Sequence, residues 1–381
     1  MDAGTAARRR GFGRLTGTAM TLELRNVSKR VEAETHIADA SLTLARGSLN
    51  VLLGPTLSGK TTLLRLMAGL DVPTAGKVFV NGQDVTAVPV QRRSVAMVYQ
   101  QFINFPNFTV FENIASPLRV AGIANAEIDR RVREAAGLMR LDRFLDRYPL
   151  ELSGGQQQRT ALARAVVKRA DLLLLDEPLA NLDYKLREEL REELPKLFAE
   201  IGAITVYATA EPSDALLLGG NTATLAEGRV TQFGRTVDVY RRPNDKATAD
   251  VFSDPPMNFI AARIVGGKAH LPGGTFLPAR GPLAGLPDGE ITLGFRANHL
   301  YLRAPGPDAV PVAATVAVTE ITGSESFVHV MHEGSRWVAL AHGIHELNPG
   351  APVELYLDPN RVFVFGRDGR LMAAPAIAAA A

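Results

Sequence analysis

The sequence predicts an α/β domain with a mostly parallel sheet and an inserted helical subdomain, followed by an all-β domain of antiparallel strands. Strand-like apolar runs alternate with helical stretches between residues 20 and 245. A charged, amphipathic helical stretch at 126–150 indicates a helical subdomain at about 101–165. From 246 to 381, short strand-like runs separated by turn residues indicate a small barrel or sandwich. We expect residues 1–19 to form a disordered tail.

Individual elements follow from local patterns. Leu49–Gly54 is a short apolar run, and Lys60–Gly69 follows with helical periodicity and ends on glycine. Leu172–Glu177 reads LLLLDE and begins with a continuous apolar run, as expected for a strand buried on both faces. Ile204–Thr209 is rich in β-branched residues and predicts another strand. Seven further runs predict the strands of the second domain: FIAARIV, ITLGFRA, VAATVAV, SFVHVMH, RWVALA, PVELYL and RVFVF.

The composition excludes several classes of function. The 42 basic and 40 acidic residues nearly cancel, so the overall charge does not favour nucleic acid, and we expect no nucleic-acid partner. The absence of cysteine excludes disulfides, thiolate metal sites and a cysteine nucleophile. No apolar run reaches the roughly 18–20 residues that span a bilayer, so a membrane function would need partner chains. The N-terminal arginines lack the apolar segment of a signal peptide, and Met20 is an alternative start.

The segment Gly54–Thr61 reads GPTLSGKT and fits the pattern GxxxxGK[ST] between a predicted strand and a helix. In such a loop, backbone N–H groups and the helix N-terminus bind phosphates. Lys60 would reach the β- and γ-phosphates, and the Thr61 hydroxyl would bind Mg²⁺. A glycine-rich turn with a solvated lysine is the alternative. The pattern predicts binding of ATP and Mg²⁺ by Gly54, Pro55, Thr56, Leu57, Ser58, Gly59, Lys60, Thr61 and Thr62.

The LLLLDEP segment supplies two carboxylates. Asp176 ends a predicted buried strand, where open α/β sheets bind ligands, and would hold Mg²⁺ directly or through water. Glu177 would polarise the attacking water as general base. The alternative is that the two acids are only solvated residues at the end of the strand. The presence of a phosphate-binding loop in the same chain disfavours this alternative.

A third segment, LSGGQ at Leu152–Gln156, precedes a predicted helix. Ser153 is a good N-cap, and Gly154 and Gly155 permit close approach of the backbone to a phosphate. The segment alone is a weak signal. Its position about 100 residues after GPTLSGKT and 20 residues before LLLLDEP makes the combination specific.

With these motifs in this order, the chain resembles the ABC ATPases, and most closely those of carbohydrate importers of the maltose-transporter type. The resemblance covers about residues 22–370. Gln100 in MVYQQF matches the family's Q-loop glutamine, a nucleotide sensor and Mg²⁺ ligand, and the resemblance implies that it is catalytic together with Lys60 and Glu177. Asp183 in NLD matches the D-loop aspartate. The resemblance implies a P-loop NTPase domain. The segments MNFIAARI, LGFRANHLYL and DPNRVFVF resemble the family's oligonucleotide-binding-type (TOBE-like) barrel, which is regulatory and helps dimerisation.

The resemblance also implies an assembly. Two ATPase subunits would form a head-to-tail dimer, in which Ser153, Gly154, Gly155 and Gln156 of each subunit act on the partner's ATP. Two transmembrane permease subunits would dock near the Q-loop and place this chain at the cytoplasmic face of the inner (plasma) membrane. An extracytoplasmic solute-binding protein would cooperate indirectly.

Three positions depart from the family's nucleotide site. Ala210 stands in place of the switch histidine and has no donor, while Glu211, when ionised, only accepts hydrogen bonds and would repel phosphate. The adenine-stacking aromatic, worth about 1–3 kcal/mol, is expected at Val31, unless a loop shift brings His36 into its place. Leu57 replaces a glycine and would cost about 1–2 kcal/mol if its φ is positive.

These departures predict that the chain's own site binds ATP but hydrolyses it poorly, and that an unlike ATPase subunit completes the dimer. A homodimer with slow turnover and an ATP-binding regulatory or scaffold subunit are the alternatives. A soluble ABC protein acting on ribosomes or DNA is disfavoured, because the chain has one cassette and no heptad run. The TAEP and LLLGG segments resemble the subgroup that imports glycerol and related polyols, so the expected substrate is a carbohydrate or polyol.

Overall fold

The computed structural model describes residues 20–101, 103–180 and 182–376. These residues form an α/β domain followed by an antiparallel β domain, which confirms the predicted fold class. The predicted tail at 1–19 lies outside the described residues.

The α/β domain contains two sheets and the helices around them. Its strands are β1 (Thr21–Val31), β2 (Glu34–Ala45), β3 (Leu49–Leu53), β4 (Ala75–Val80), β5 (Gln83–Asp84), β6 (Val95–Val98), β7 (Leu172–Asp176), β8 (Ile204–Thr209), β9 (Asn221–Ala226) and β10 (Arg229–Arg235). The helices are α1 (Lys60–Ala68), α2 (Val110–Val120), α3 (Asn125–Leu138), α4 (Gly154–Val167), α5 (Tyr184–Ile201), α6 (Pro212–Leu218), α7 (Thr236–Arg241) and α8 (Lys246–Val251).

The larger sheet determines where the motifs meet. Its strand order is β10-β9-β3-β8-β7-β6, and every pair except β9–β10 is parallel. All residues of β7 and β8 are buried, as their predominantly apolar sequences predict. The carboxyl ends of β3, β8, β7 and β6 therefore lie side by side at one edge of the sheet.

A separate antiparallel sheet, β2-β1-β4-β5, covers the outer face of helix α1 and was not anticipated from the sequence. Alternating residues of β1 and β2 are buried against α1, with Leu22, Leu44 and Leu63 in one core. His36 and Ile37 in β2 lie directly beside Gly59, so the N-terminal hairpin reaches the phosphate-binding loop.

The helical subdomain consists of α2, α3 and α4, which share one core with the larger sheet. Thr109 begins α2 with a capping box to Glu112. The predicted helix at 126–150 is shorter in the structure, because α3 ends at Leu138 and Arg140 adopts a positive φ of 52°. Short 3-10 turns replace the rest of the predicted helix.

The second domain contains two antiparallel sheets around one core, in which Trp337 packs edge-on against Phe295 at 5.1 Å. Their strand orders are β13-β12-β11-β14-β20-β21 and β15-β19-β16-β17-β18. The strands are β11 (Asn258–Val265), β12 (Lys268–His270), β13 (Phe276–Pro278), β14 (Gly289–Phe295), β15 (Leu300–Tyr301), β16 (Val310–Ile321), β17 (Glu325–His332), β18 (Ser335–His342), β19 (Pro352–Leu357), β20 (Phe363–Phe365) and β21 (Leu371–Ala373).

Helix α8 joins the two domains. Its Thr248 hydroxyl donates to Thr231 in β10 at 2.8 Å, while Ala249 packs in a cluster with Phe363 and Phe365 of the barrel. In addition, the Arg296 guanidinium lies 3.7 Å from the centre of the Tyr240 ring in α7. The domain boundary predicted at residue 245 therefore falls directly before a helix that both domains contact.

Candidate functional site

The site forms where four neighbouring parallel strands end. Strand β3 leads into Gly54, β8 into Ala210, β7 ends at Asp176, and β6 precedes Gln100. Because parallel strands point the same way, residues far apart in the sequence meet at this edge. Two of the three sequence motifs and the altered switch position thus share one site.

The loop Gly54–Gly59 has little free space around its glycines. A Cβ on Gly54 would lie 2.5 Å from the Leu225 carbonyl oxygen, and one on Gly59 would lie 2.8 Å from the His36 carbonyl oxygen. Gly59 begins helix α1 with φ 102°. Only glycine satisfies both the close approach and this backbone conformation. The buried Ser58 hydroxyl has no hydrogen-bond partner among the described residues.

Leu57 adopts a φ of 67°, which the sequence analysis identified as the condition under which leucine is unfavourable. Its side chain is 97% exposed and so gains nothing from packing. The left-handed conformation costs a residue with a Cβ about 1–2 kcal/mol. This departure from the family pattern is therefore a strained position.

Lys60 is buried at the start of α1. Its Nζ donates to the carbonyl oxygens of Gly54 (2.8 Å) and Pro55 (3.0 Å) and lies 3.5 Å from a Glu177 carboxylate oxygen. Burial lowers the pKa of Lys60, and the charges of Glu177 and Asp176 oppose that shift. The ammonium is thus held within the loop, directly beside both carboxylates of the LLLLDEP segment.

Glu177 contacts the two other predicted catalytic residues. Its carboxylate accepts a 3.0 Å hydrogen bond from Gln100 Nε2, in addition to its ion pair with Lys60. Its φ of 47° is uncommon for a residue with a side chain, and such strain is concentrated at functional sites. The three residues that the sequence predicted as catalytic therefore form one contact group.

The oxygen donors present fit Mg²⁺. Asp176 is buried; burial raises the pKa of its carboxyl group, and the hydrogen bond from the Thr61 side chain opposes the shift. Hydroxyl, carboxylate and amide oxygens, as in Thr61, Asp176 and Gln100, are the hard ligands that Mg²⁺ uses together with water and phosphate oxygens. The described residues include no cluster of three or more His, Cys, Asp or Glu side chains that could hold a metal by themselves.

Ala210 follows strand β8 and is exposed. A cavity of about 50 Å³ lies beside it, lined in part by Glu177, Thr209 and Glu211. A water molecule occupies about 30 Å³ in the liquid, so the cavity has room for one or two waters. The Ala210 side chain is a methyl group, which cannot donate a hydrogen bond, and it lines the same cavity as Glu177, the predicted general base.

Glu211, which was expected to repel phosphate, is ion-paired in the structure. Its carboxylate pairs with Arg187 at 2.9 Å and with Arg191 at 2.6 Å, both on helix α5. Arg191 also pairs with the buried Asp214, which accepts a 2.6 Å hydrogen bond from Thr209. The i, i+4 spacing predicts that the two arginines share one face of α5, but only the packing of α5 beside the end of β8 brings that face to Glu211.

The LSGGQ segment lies apart from this contact group. Ser153 is exposed and caps α4, accepting from the Gln156 N–H while Gln156 accepts from the Ser153 N–H at 3.0 Å. Asp183 caps α5 by accepting from the Leu186 N–H at 3.0 Å. Among residues 20–101, 103–180 and 182–376, no hydrogen bond or ion pair joins 153–156 to the loop at 54–62.

The two candidates for the adenine contact lie on the N-terminal hairpin. Val31 is 43% exposed at the end of β1. The His36 backbone packs directly against Gly59, and its imidazole is part-exposed, 3.8 Å from Glu34. The structure places His36 next to the phosphate-binding loop through its backbone, and both residues stay candidates.

Comparisons with known proteins identify the family. Residues 37–180 match the ABC transporter family model, and residues 293–365 match the TOBE domain model. The chain is 36% identical to the trehalose/maltose import ATP-binding protein of Thermococcus litoralis, over 87% of this chain and 94% of that protein. The chain belongs to the ATP-binding subunits of ABC transporters. This membership confirms the predicted family and ATPase activity, and implies membrane permease subunits as partners.

Other ABC proteins are similarly close. Identity is 36% to the sn-glycerol-3-phosphate import ATP-binding protein of Paracoccus denitrificans, covering 90% of this chain and 96% of that protein. The identity to the spermidine/putrescine import ATP-binding protein of Rubrobacter xylanophilus is 38%, over 96% of this chain and 99% of that protein. A solved dimeric bacterial ABC transporter cassette matches with a TM-score of 0.53 and 30% identity, over 56% of this chain and 98% of the cassette. A second structure of that cassette contains ADP and phosphate.

Among the described residues, no helix of this ABC subunit is long and apolar enough to cross a membrane.

Proposed function

We propose that this ABC ATPase energises import of a carbohydrate or polyol, with glycerol-like compounds favoured, and that its own ATP site turns over slowly. An unlike ATPase subunit would supply the competent site, to which this chain's LSGGQ segment contributes. The observation that supports this most is Ala210 at the carboxyl end of β8, beside Glu177. The relatives named for trehalose/maltose and sn-glycerol-3-phosphate import support the substrate class.

The residues for binding nucleotide are intact in this proposal. The backbone of Gly54–Thr62 and the N-terminus of α1 would hold the phosphates, with Lys60 exchanging its carbonyl partners for phosphate oxygens. Thr61, Asp176 and Gln100 would hold Mg²⁺, which when bound neutralises charge on the phosphates. Glu177 would accept a proton from the attacking water, and its contacts with Gln100 and Lys60 hold its carboxylate in place.

The missing function is donation to the transferring phosphoryl group. A single preorganised donor at a developing negative charge is worth about 10²–10³ in kcat. The methyl group of Ala210 cannot replace it, and the Glu211 carboxylate is held by Arg187 and Arg191 and accepts only. We therefore infer slow hydrolysis at this site with nearly normal binding.

The LSGGQ segment supports the second half of the proposal. Ser153 and Gly154 are exposed at the start of α4, and Asp183 caps the helix after the D-loop. A helix N-terminus with exposed N–H groups attracts phosphate. In a head-to-tail dimer, Ser153–Gln156 would therefore complete the nucleotide site of the other subunit.

The permease surface would lie just beyond Gln100. Ile103, Phe105 and Phe108 are 59%, 45% and 39% exposed, and the two aromatic rings are 5.4 Å apart. Adjacent exposed apolar side chains of this size indicate a protein contact. Docking of a permease helix here would place this chain at the cytoplasmic face of the inner membrane, with the barrel domain in a regulatory and dimerising role.

Purification of the native complex tests the proposal. A tagged chain would be isolated with detergent from the membranes of its source, and the copurifying chains identified by mass spectrometry. We expect two permease chains and a second ATPase chain with an intact switch histidine. A complex containing this ATPase alone, with turnover as fast as that of any mixture, would establish the symmetric homodimer instead.

Glu177→Gln separates an ATPase from a regulatory or scaffold subunit. If Glu177 acts as general base, its amide variant should bind ATP normally and lose the residual hydrolysis of the purified chain. An unchanged rate of phosphate release would favour the scaffold. Uptake of labelled glycerol, glycerol phosphate and maltose by cells with and without this chain would define the substrate class.

A further inference from the structure

The segment between Gln100 and helix α2 is attached to the LSGGQ helix by a buried polar cluster. At its centre, Asn113 in α2 is fully buried. Its Oδ1 accepts from the Phe105 N–H at 2.8 Å, and its Nδ2 donates to the carbonyl oxygens of Phe105 (3.1 Å) and Phe108 (3.0 Å). One side chain thus closes the turn that presents both exposed aromatic rings.

Arg164 in α4 connects this turn to the LSGGQ helix. Its guanidinium donates to Asn113 Oδ1 at 3.3 Å and to the carbonyl oxygen of Ile103, and it lies 5.1 Å from the centre of the Phe105 ring. Burial lowers the pKa of Arg164, and no carboxylate among the described residues pairs with it. A half-buried arginine that contacts carbonyl groups and a ring is costly to desolvate, and its hydrogen bonds to Asn113 and Ile103 offset part of that cost.

A third bond reinforces the attachment: Asn104 Nδ2 donates to the carbonyl oxygen of Gln157, one residue after LSGGQ. The exposed apolar residues at 103–108 are therefore attached to α4, while Gln100 is bonded to Glu177 in the larger sheet. Only a short stretch of chain separates the two attachments.

We propose that Asn113 and Arg164 are positioning residues that make the apolar surface at 103–108 move with the LSGGQ helix, so that closure of the ATP dimer displaces a docked permease helix. This inference deepens the proposed function and rests on its permease partner. We call Asn113 and Arg164 with their hydrogen bonds the clamp. Without the clamp, the LSGGQ helix would move without the aromatic rings, and hydrolysis would be uncoupled from the membrane subunits.

The first test uses the purified chain alone. Because the chain contains no cysteine, Ile103→Cys gives a single site for a nitroxide label. We expect an immobile label in the otherwise unchanged chain and a mobile one after Arg164→Met. Arg164→Lys, which keeps one charged donor, should give an intermediate spectrum.

Arg159→Met is the matched control. Arg159 lies on the same helix, is likewise half-buried without a carboxylate partner, and donates to the carbonyl oxygen of Met139 at 2.9 Å. Arg159 attaches α4 to the end of α3 and not to the turn that carries Phe105 and Phe108. In Arg159→Met, the label at residue 103 should therefore stay immobile. An immobile label in Arg164→Met would overturn the clamp.

The second test measures coupling in the native complex, without the label. For each variant, the ATPase rate of the complex reconstituted in lipid is divided by that of the free chain. For Arg164→Met we expect this ratio to fall about tenfold, the size of effect of one charge-assisted hydrogen bond, while the free chain's rate changes less than about twofold. Arg159→Met should keep the ratio.

The outcomes separate this inference from the proposed function. If the unchanged chain retains no membrane subunit, the proposed function is wrong, and the label spectra still decide whether the clamp orders residues 103–108. If the complex forms and the label becomes mobile in Arg164→Met, but the rate ratio is unchanged, the clamp does not transmit the movement and the inference is wrong.

Discussion

Replacing Ala210 by histidine should raise the turnover of this ABC subunit. The position is exposed at the end of β8, next to Glu177 and to a cavity of about 50 Å³, so an imidazole can enter without displacing the core. A fully preorganised donor would contribute about 10²–10³ in kcat. An imidazole introduced at an alanine position is less well preorganised than such a donor, so we expect the gain to be about 10- to 100-fold.

The assay is steady-state phosphate release at saturating ATP and Mg²⁺, with the ATP dissociation constant measured separately. Ala210→Leu is the control, because it fills the same space without a donor and should give no gain. Adding Glu177→Gln to Ala210→His should abolish the gain if both act on the same water. A histidine variant that binds ATP normally but is no faster than the unchanged chain, or no faster than the leucine variant, would refute the reasoning.

Three further predictions concern stability. Leu57→Gly should remove the strain of a positive φ, which is worth about 1–2 kcal/mol, but the greater unfolded-state entropy of glycine offsets about 0.4–1 kcal/mol of that gain. Leu57→Ala keeps the strain, so its free energy of unfolding in urea should not increase. Arg191→Met should cost about 3–5 kcal/mol, because it leaves the buried Asp214 unpaired, whereas Lys196→Met at an exposed ion pair should cost less than about 1 kcal/mol. Burial lowers the pKa of His299 from 6.5 to about 4, so the unfolded chain binds this proton more readily, and up to about 3 kcal/mol of stability is lost as the pH falls from 6.5 towards 4. His299→Gln should flatten that part of a stability–pH curve measured by denaturation, and an unchanged slope would contradict the assignment.

Much of the site could be read from the sequence because its chemistry depends on short, contiguous segments. The phosphate-binding loop needs glycines, a lysine and a hydroxyl at fixed spacing, and GPTLSGKT provides them within eight residues. The run LLLL at 172–175 is apolar throughout because the strand is buried on both faces, and this alone placed Asp176 at a strand end. Ser153 was identifiable as a helix cap because the capping interaction is local.

The helical boundaries were less predictable. The amphipathic pattern after residue 125 extends past Leu138, but the backbone turns at Arg140, and Leu141 is buried in the core. Packing against α4 decides where this helix ends, and a periodic pattern does not include that contact. The separate N-terminal antiparallel sheet was missed for two reasons. The turn of the β1–β2 hairpin is formed by residues 32–33, which lack the usual Asn-Gly or Asp-Gly signal. The pairing of β1 with β4 joins strands that are distant in the sequence and leaves no local signal.

The sequence by itself therefore determined the phosphate-binding loop, the two carboxylates after an apolar run and the unaltered LSGGQ segment, and it predicted that Ala210 stands in place of the switch histidine. Only the tertiary structure decided that Glu211 is neutralised by Arg187 and Arg191, and that Asn113 and Arg164 attach the exposed aromatic turn to the LSGGQ helix. The physical reason is the range of the interactions. Loops and caps are built by neighbours in the chain, whereas ion pairs and buried amide clusters depend on which helices and strands pack together.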